Sequence, residues 1–333
     1  MHAPMSVPPE NSTAVPRRAL ATCVALVAWL SVLEWKILER LYADPSSREF
    51  VLESVRGVLA GTPVSRSWQH RFLAPLLVSA LPGGEASALE RARLILLVAA
   101  NLLLFALVVR RGDPGRAPTR ALAVVVGYVA GHVLLAYKLE YPWDGVDQLV
   151  FLAFGAWVAR ERPLARFAPL LVVGALNHET ILYVPLWYLL SRDRPRVRDG
   201  ILAAAGVVGV ALALRRAFYR GRPNLPGQVY EQALPIADNH LHVAHNLRQL
   251  FVNDWTEGRA HVAVGFLGAV VAFGWACRAP RWRRAGAWSL VVLATIVAFG
   301  YVNETRHYLV LLAFWVAYGA TRAPDPVAPP VPT

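Results

Sequence analysis

The chain has 333 residues, of which 56% are apolar and 17% charged, with a mean hydropathy of +0.40 and a formal net charge of +12. This balance excludes an ordinary soluble domain, in which about 25% of residues are charged, and predicts a polytopic membrane protein. The basic excess does not indicate nucleic acid as a partner, because most Lys and Arg fall in short segments between apolar runs, where the positive-inside bias accounts for them.

A hydrocarbon core of about 30 Å needs roughly 20 helical residues, fewer where a helix is broken or re-entrant. Residues 1–18 read as a disordered tail, and residues 19–320 as one transmembrane domain. The first run, 19–38, follows Arg17-Arg18 like a signal sequence. It lacks a small-x-small cleavage pattern, and so fits an uncleaved anchor. Segment 39–86 then holds Asp44, an amphipathic stretch (Phe50, Val51, Leu52, Val55, Val58, Leu59), the turn Gly61-Thr62-Pro63, and Trp68-Gln69-His70-Arg71-Phe72-Leu73-Ala74-Pro75. The apolar spacing predicts a helix in the interface plane, capped by Gly and Pro. The plainer alternative is a membrane-hugging loop with solvated charges.

Runs 87–110 and 119–138 are further spans, separated by a basic turn. Tyr141-Pro142-Trp143-Asp144 has an interfacial composition. Asp144 suits an N-cap for the run at 147–160, and Trp143 suits packing on a sugar ring. Runs 165–176 and 180–191 read as a broken hairpin whose tip is Asn177-His178-Glu179-Thr180. Ionisable groups are expensive in a membrane and are kept mainly where they face protein or a polar cavity, so this tip is a candidate site.

The span 199–214 leads to a long segment, 215–260, where Asp238, His240, His242 and His245 offer metal-type side chains without a standard zinc spacing. Spans 260–277 and 284–302 follow, then a second polar cluster, Asn303-Glu304-Thr305-Arg306-His307, the run 308–320, and a Pro-rich tail at 321–333. Asn177 and Asn303 suit helix caps. Single residues such as Glu34 and His132 read as helix-packing or snorkelling groups. Cys23 and Cys277, the only cysteines, both lie within or at the end of apolar runs, which argues against a disulfide or a cysteine metal site.

More than half of the 34 Lys and Arg fall in the N-terminal tail, 110–120, 160–166, 192–198, 278–284 and the C-terminal tail. The positive-inside rule makes these segments cytoplasmic, with both termini inside an inner (plasma) membrane. The long segments 39–86 and 215–260 and both polar clusters then share the outer side. A single outward-facing pocket is the economical expectation.

An acidic residue after the first span, an interfacial helix ending in Gly-x-Pro, and an Arg shortly before a Pro-containing apolar run together resemble the first outer loop of GT-C membrane glycosyltransferases. The broken hairpin at 165–191 and the long outer segment before the last spans extend the resemblance over most of the chain. It implies an all-α, GT-C-like membrane protein of about ten hydrophobic helical segments with an interfacial helix in the first outer loop. The implied activity is transfer of a sugar from a polyprenyl-phosphate donor to a lipid-linked, glycan or protein acceptor.

In that family the acid of the first loop is the catalytic base, and Asp44 holds the matching position. The family often has a paired acid there; this chain has Asp44-Pro45. The chemistry points the same way, since inverting transfer needs a carboxylate to take the acceptor proton and cations to hold the departing phosphate. Glu53 is the substitute base. Arg71 and Arg306, with His70 and His307, suit phosphate. Asp144, His178, Glu179 and Glu304 complete the candidate substrate site, and buried Glu179–Arg or Glu304–Arg306 pairs that merely fix helix ends are the structural alternative. No metal or other cofactor is assigned. A polysaccharide polymerase or flippase acting on a lipid-linked glycan and a solute transporter are the rival functions, although no internal repeat of the kind common in transporters is evident.

Overall fold

The computed structural model describes residues 17–41, 45–62, 71–111, 116–135, 141–219, 242–256, 260–300, 302 and 304–322. Asp44, His70, Asp238, His240 and Asn303 lie outside the described residues, as do the outermost parts of both tails. Among the described residues every regular element is helical.

Helix α1 (Arg17–Leu41) is followed by α2 (Pro45–Ala60), α3 (Leu73–Ala80), α4 (Glu85–Val109), α5 (Ala117–Leu135) and α6 (Pro142–Val158). The broken hairpin comprises a 3-10 turn and α7 (Ala168–Ala175), then a second 3-10 turn and α8 (Tyr183–Leu189). Next come α9 (Arg194–Tyr219), the short α10 (Val243–Arg248), α11 (Ala260–Arg278), α12 (Arg283–Phe299) and α13 (Leu309–Thr321).

Helices α1, α4, α5, α9 and α11 are long and apolar enough to cross a membrane, which fits a membrane protein. The remaining hydrophobic segments are shorter. Helix α12 ends at Phe299, short of the run that suggested it, and α7 and α8 are each only about half a span.

Helix α6 lies at the centre, between α4 and α13. Contact between membrane helices rests on close packing, because lipid tails are as apolar as the side chains they would replace. Gly155 permits this packing, since a Cβ there would stand 2.4 Å from the Phe314 carbonyl oxygen. Phe154, Trp187, Trp288 and Phe314 fill the space beside it, the last two with ring centroids 4.3 Å apart. The Trp288 indole N–H donates to the Tyr183 carbonyl at 2.7 Å, so its one polar atom is satisfied.

Helix α2 turns Val51, Leu52 and Val55 onto α3 and α4 and also buries Val58, while Glu53 and Leu59 are exposed. A buried polar network ties α1, α4, α5 and α6 together. His132 Nδ1 meets Glu34 Oε1 at 2.7 Å, and Asn101 Nδ2 donates to Glu34 Oε2 at 2.7 Å and to Ser31 Oγ at 3.0 Å. Gln148 approaches His132 Nε2 at 3.4 Å and accepts from the Tyr128 hydroxyl. Glu34 and His132 are thus fully enclosed and paired; neither reaches toward an interface as a snorkelling group would.

Candidate functional site

The site is assembled on the first turns of α6. Pro142 occupies the first helical position, where its missing N–H is no loss. Asp144 sits two residues further in, and its Oδ2 accepts the Tyr141 backbone N–H at 2.8 Å. This corrects its expected place as N-cap: the carboxylate reaches back to the cap from inside the first turn. Asp147 follows one turn later on the same face, so both carboxylates leave the same side of the helix.

The hairpin tip supplies those neighbours on one side. Asn177 Nδ2 donates to Asp147 Oδ1 and to the Trp143 carbonyl, each at 2.8 Å. Asn177 is therefore a cross-link from hairpin to helix, and the cap role expected of it is not observed. His178 Nδ1 lies 2.5 Å from Asp147 Oδ2, and the Thr180 hydroxyl donates to the same oxygen at 2.7 Å. Gly174 lets the two halves of the hairpin close, since a Cβ there would collide with Ile181.

Arg71, just ahead of α3, grips Glu179 with two arms, Nε to Oε2 at 3.2 Å and Nη2 to Oε1. Its guanidinium is almost wholly enclosed, whereas the Glu179 side chain is 44% exposed. The segment is held there by the backbone N–H groups of Phe72 and Leu73, which both donate to the Leu176 carbonyl.

The turn before α13 closes the other side. Arg306 donates to Glu304 Oε2 from Nη2 at 2.7 Å and from Nε at 3.1 Å, and to Asp144 Oδ2 from Nη1 at 3.3 Å. His307 Nε2 adds a contact to Glu304 at 3.2 Å. Burial pushes the Glu304 carboxyl upward, but the Arg306 charge and the His307 contacts outweigh it, holding the group well below the usual carboxylate range.

Tyr141 and Trp143 join the two halves. Their rings stack at 4.5 Å, with Arg71 over Trp143 at 5.3 Å and Arg306 over Tyr141 at 4.8 Å. Trp143 is fully buried in this stack, so it is a spacer between guanidinium groups and not the sugar platform its position suggested.

Of the candidates read from the sequence, Arg71, Asp144, His178, Glu179, Glu304, Arg306 and His307 thus come together. Glu53 lies on the exposed face of α2 and makes no ion pair with another described residue. Asp147, the carboxylate with the most donors, was missed because it opens an apolar run. Its signal was the one-turn spacing from Asp144.

Asp144, Asp147 and His178 bring potential ligand atoms within 4.8 Å of one another. Their lone pairs are already engaged: Asp147 accepts from Asn177, Thr180 and His178, and Asp144 from Arg306 and the Tyr141 N–H. A divalent cation would have to displace a guanidinium and an imidazole proton, so the donor set fits an ion-pair network better than a metal centre.

His178 sits in the turn between two half-length helices. Burial, the strongest influence, and the Arg71 charge disfavour its cation, but Glu179, Asp147 and the hydrogen bond to Asp147 outweigh them and push its pKa up to about 9. An imidazole raised from about 6.5 contributes fully below that ordinary value and loses the contribution as pH rises through the folded-state value. Thermal stability in detergent is expected to fall between pH 6.5 and 9 by on the order of 5 °C. The measurement is a melting series over pH, in which His178→Gln should flatten the slope in that window; an unchanged slope would show that His178 is not its source.

Comparison with family models, with curated proteins and with solved structures finds no match for this chain. Among the described residues every regular element is helical, five helices are fit to span a membrane, and a network of carboxylates, guanidinium groups and histidines lies at one end of the central helix.

Proposed function

We propose that the protein is a membrane glycosyltransferase that moves a sugar from a polyprenyl-phosphate donor to a lipid-linked, glycan or protein acceptor at the outer face of the membrane. The observation that carries the reading is the convergence of the Arg71–Glu179 and Arg306–Glu304–Asp144 groups, drawn from four distant stretches of chain, at the first turns of α6. Paired guanidinium and carboxylate groups suit this chemistry, because Arg binds a phosphodiester in a fork and carboxylates accept from sugar hydroxyls.

In the proposed reaction a carboxylate removes the acceptor O–H proton, and the acceptor oxygen forms a bond to the anomeric carbon. The bond from that carbon to the phosphate oxygen breaks, and its electron pair leaves with the polyprenyl phosphate. Asp44 is assigned as the base through the family resemblance. Arg71, Arg306 and His307 would neutralise charge on the leaving group, and Glu179, Glu304, Asp144 and His178 would orient the sugar and the guanidinium groups.

The test is transfer from a radiolabelled polyprenyl-phosphate sugar by purified protein in lipid nanodiscs. Asp44→Asn is expected to lower the rate by at least about 100-fold, the scale of losing a general base, and Glu53→Gln to leave it nearly unchanged. Undiminished transfer by Asp44→Asn would remove that residue from the mechanism.

The enclosed Glu34–His132 pair favours a second reading as a solute transporter, since buried ionisable pairs within a helix bundle also serve proton-coupled transport. A cysteine placed at position 179 in a protein lacking Cys23 and Cys277 discriminates the two. Alternating access requires labelling from the cytoplasm; a fixed outward site does not.

A further inference from the structure

The opposite end of the bundle carries an arrangement that the proposed transfer reaction does not use. There the end of α8 meets the first turns of α9 and α12. Arg284, the second residue of α12, lies with its guanidinium 5.1 Å over the ring of buried Trp187. Its Nε and Nη2 are shielded from solvent and have no hydrogen-bond partner among the described residues. Arg196, in the first turn of α9, acts on it as a like charge, and the Tyr188 hydroxyl and the carboxylates of Glu161 and Asp193 act more weakly in the opposite sense.

Asp193 is engaged with Arg196 at 3.3 Å in a pair whose side chains are 40% and 51% exposed, and such pairs are worth little. Arg160 likewise has a shielded Nε without a partner among the described residues, and Arg162, Arg111 and Arg110 act on it with like charge.

The positive-inside tendency explains why arginines collect at this end, but exposed arginines would satisfy it. It does not explain a guanidinium held over an indole with two N–H-bearing nitrogens unpaired. A buried donor left unmatched is destabilising, more so for a charged group. Two helix N-termini add positive potential at the same place. We infer that Arg284 and Arg196, beside Trp187, form an anion site for a phosphate oxyanion, supplied by the headgroup of an anionic phospholipid in the leaflet opposite the candidate transfer site; the nearby Tyr188 hydroxyl is already donated to the Arg162 carbonyl. The guanidinium over Trp187 carries its N–H donors in a fixed fork that matches the oxygens of a phosphate.

Native mass spectrometry of the full chain tests this, with phosphatidylglycerol and phosphatidylcholine of equal acyl length added in detergent. Wild type should retain phosphatidylglycerol and not phosphatidylcholine. Arg284→Gln and Arg196→Gln should each reduce the retained lipid about fivefold or more, whereas Arg198→Gln, on a side chain 75% exposed, should not. A parallel melting series with inorganic phosphate separates the sources: an Arg284-dependent rise without lipid retention would assign the site to a free oxyanion.

A lipid-free melt guards against a trivial folding defect. If Arg284 awaits an anion, Arg284→Gln leaves the melting temperature unchanged or raises it; a structural cation would lower it. Equal phosphatidylglycerol retention in wild type and Arg284→Gln with no phosphate effect, or a fall in the lipid-free melting temperature, would overturn the inference.

Discussion

Arg71→Lys is expected to reduce sugar transfer by about 100-fold, the scale on which a preorganised donor to a developing oxyanion contributes, while leaving the protein folded. The argument is geometric. Arg71 meets Glu179 through two nitrogens of one rigid fork and lies 5.3 Å over the Trp143 ring. An ammonium keeps the charge but can neither form the parallel pair nor stack on the indole, so the substitution is not conservative here.

Stability should change less than activity, because the partner carboxylate is 44% exposed and water can compensate it. Glu179→Gln should behave oppositely, since it strands the enclosed guanidinium without its anion; a loss on the order of 3 kcal/mol is expected, reduced to the extent that water reaches the site. Transfer rates and melting temperatures for the two variants, measured side by side, check the claim. Equal transfer by wild type and Arg71→Lys would show that a point charge suffices and that the fork has no catalytic use.

Much of the helical framework was legible because period and length are local properties. The runs at 87–110 and 260–277 became α4 (Glu85–Val109) and α11 (Ala260–Arg278) with shifts of a residue or two. The start of α6 was misplaced by five residues, because Tyr141-Pro142-Trp143-Asp144 has the composition of an interface. Pro at the first helical position and an acid two residues on were the helix-start signals that composition masked. The charged first turn of α9 was missed likewise: Arg194, Arg196 and Arg198 are polar in composition and helical in conformation.

The polar clusters announced themselves because they interrupt apolar sequence, but their pairing did not. Arg71 and Glu179 are separated by 108 positions and Asp144 and Arg306 by 162. Nothing periodic connects such residues; only the packing of α3, the hairpin and the turn before α13 around α6 brings them together. The same limit hid Asp147, whose three donors all come from a hairpin tip some 30 residues away.

Arg306→Gln should have the largest effect on stability, about 3–5 kcal/mol, since removing the cation leaves two carboxylates facing each other at low exposure. Glu304 sends Oε2 to Arg306 and His307, while Asp144 divides itself between Arg306 and the Tyr141 N–H. Without the guanidinium the Asp144 carboxylate still has the helix start to hold it, but among the described residues Glu304 keeps only His307.

A double-mutant cycle apportions the loss. Glu304→Gln in the Arg306→Gln background should restore part of the melting temperature by removing the stranded charge, and Asp144→Asn should restore less, because its oxygen must still accept the Tyr141 N–H. If either second substitution adds its own full destabilisation to that of Arg306→Gln, the three side chains are not one electrostatic unit. The two halves of the network would then have to be treated as separate sites that share only the stacked rings of Tyr141 and Trp143.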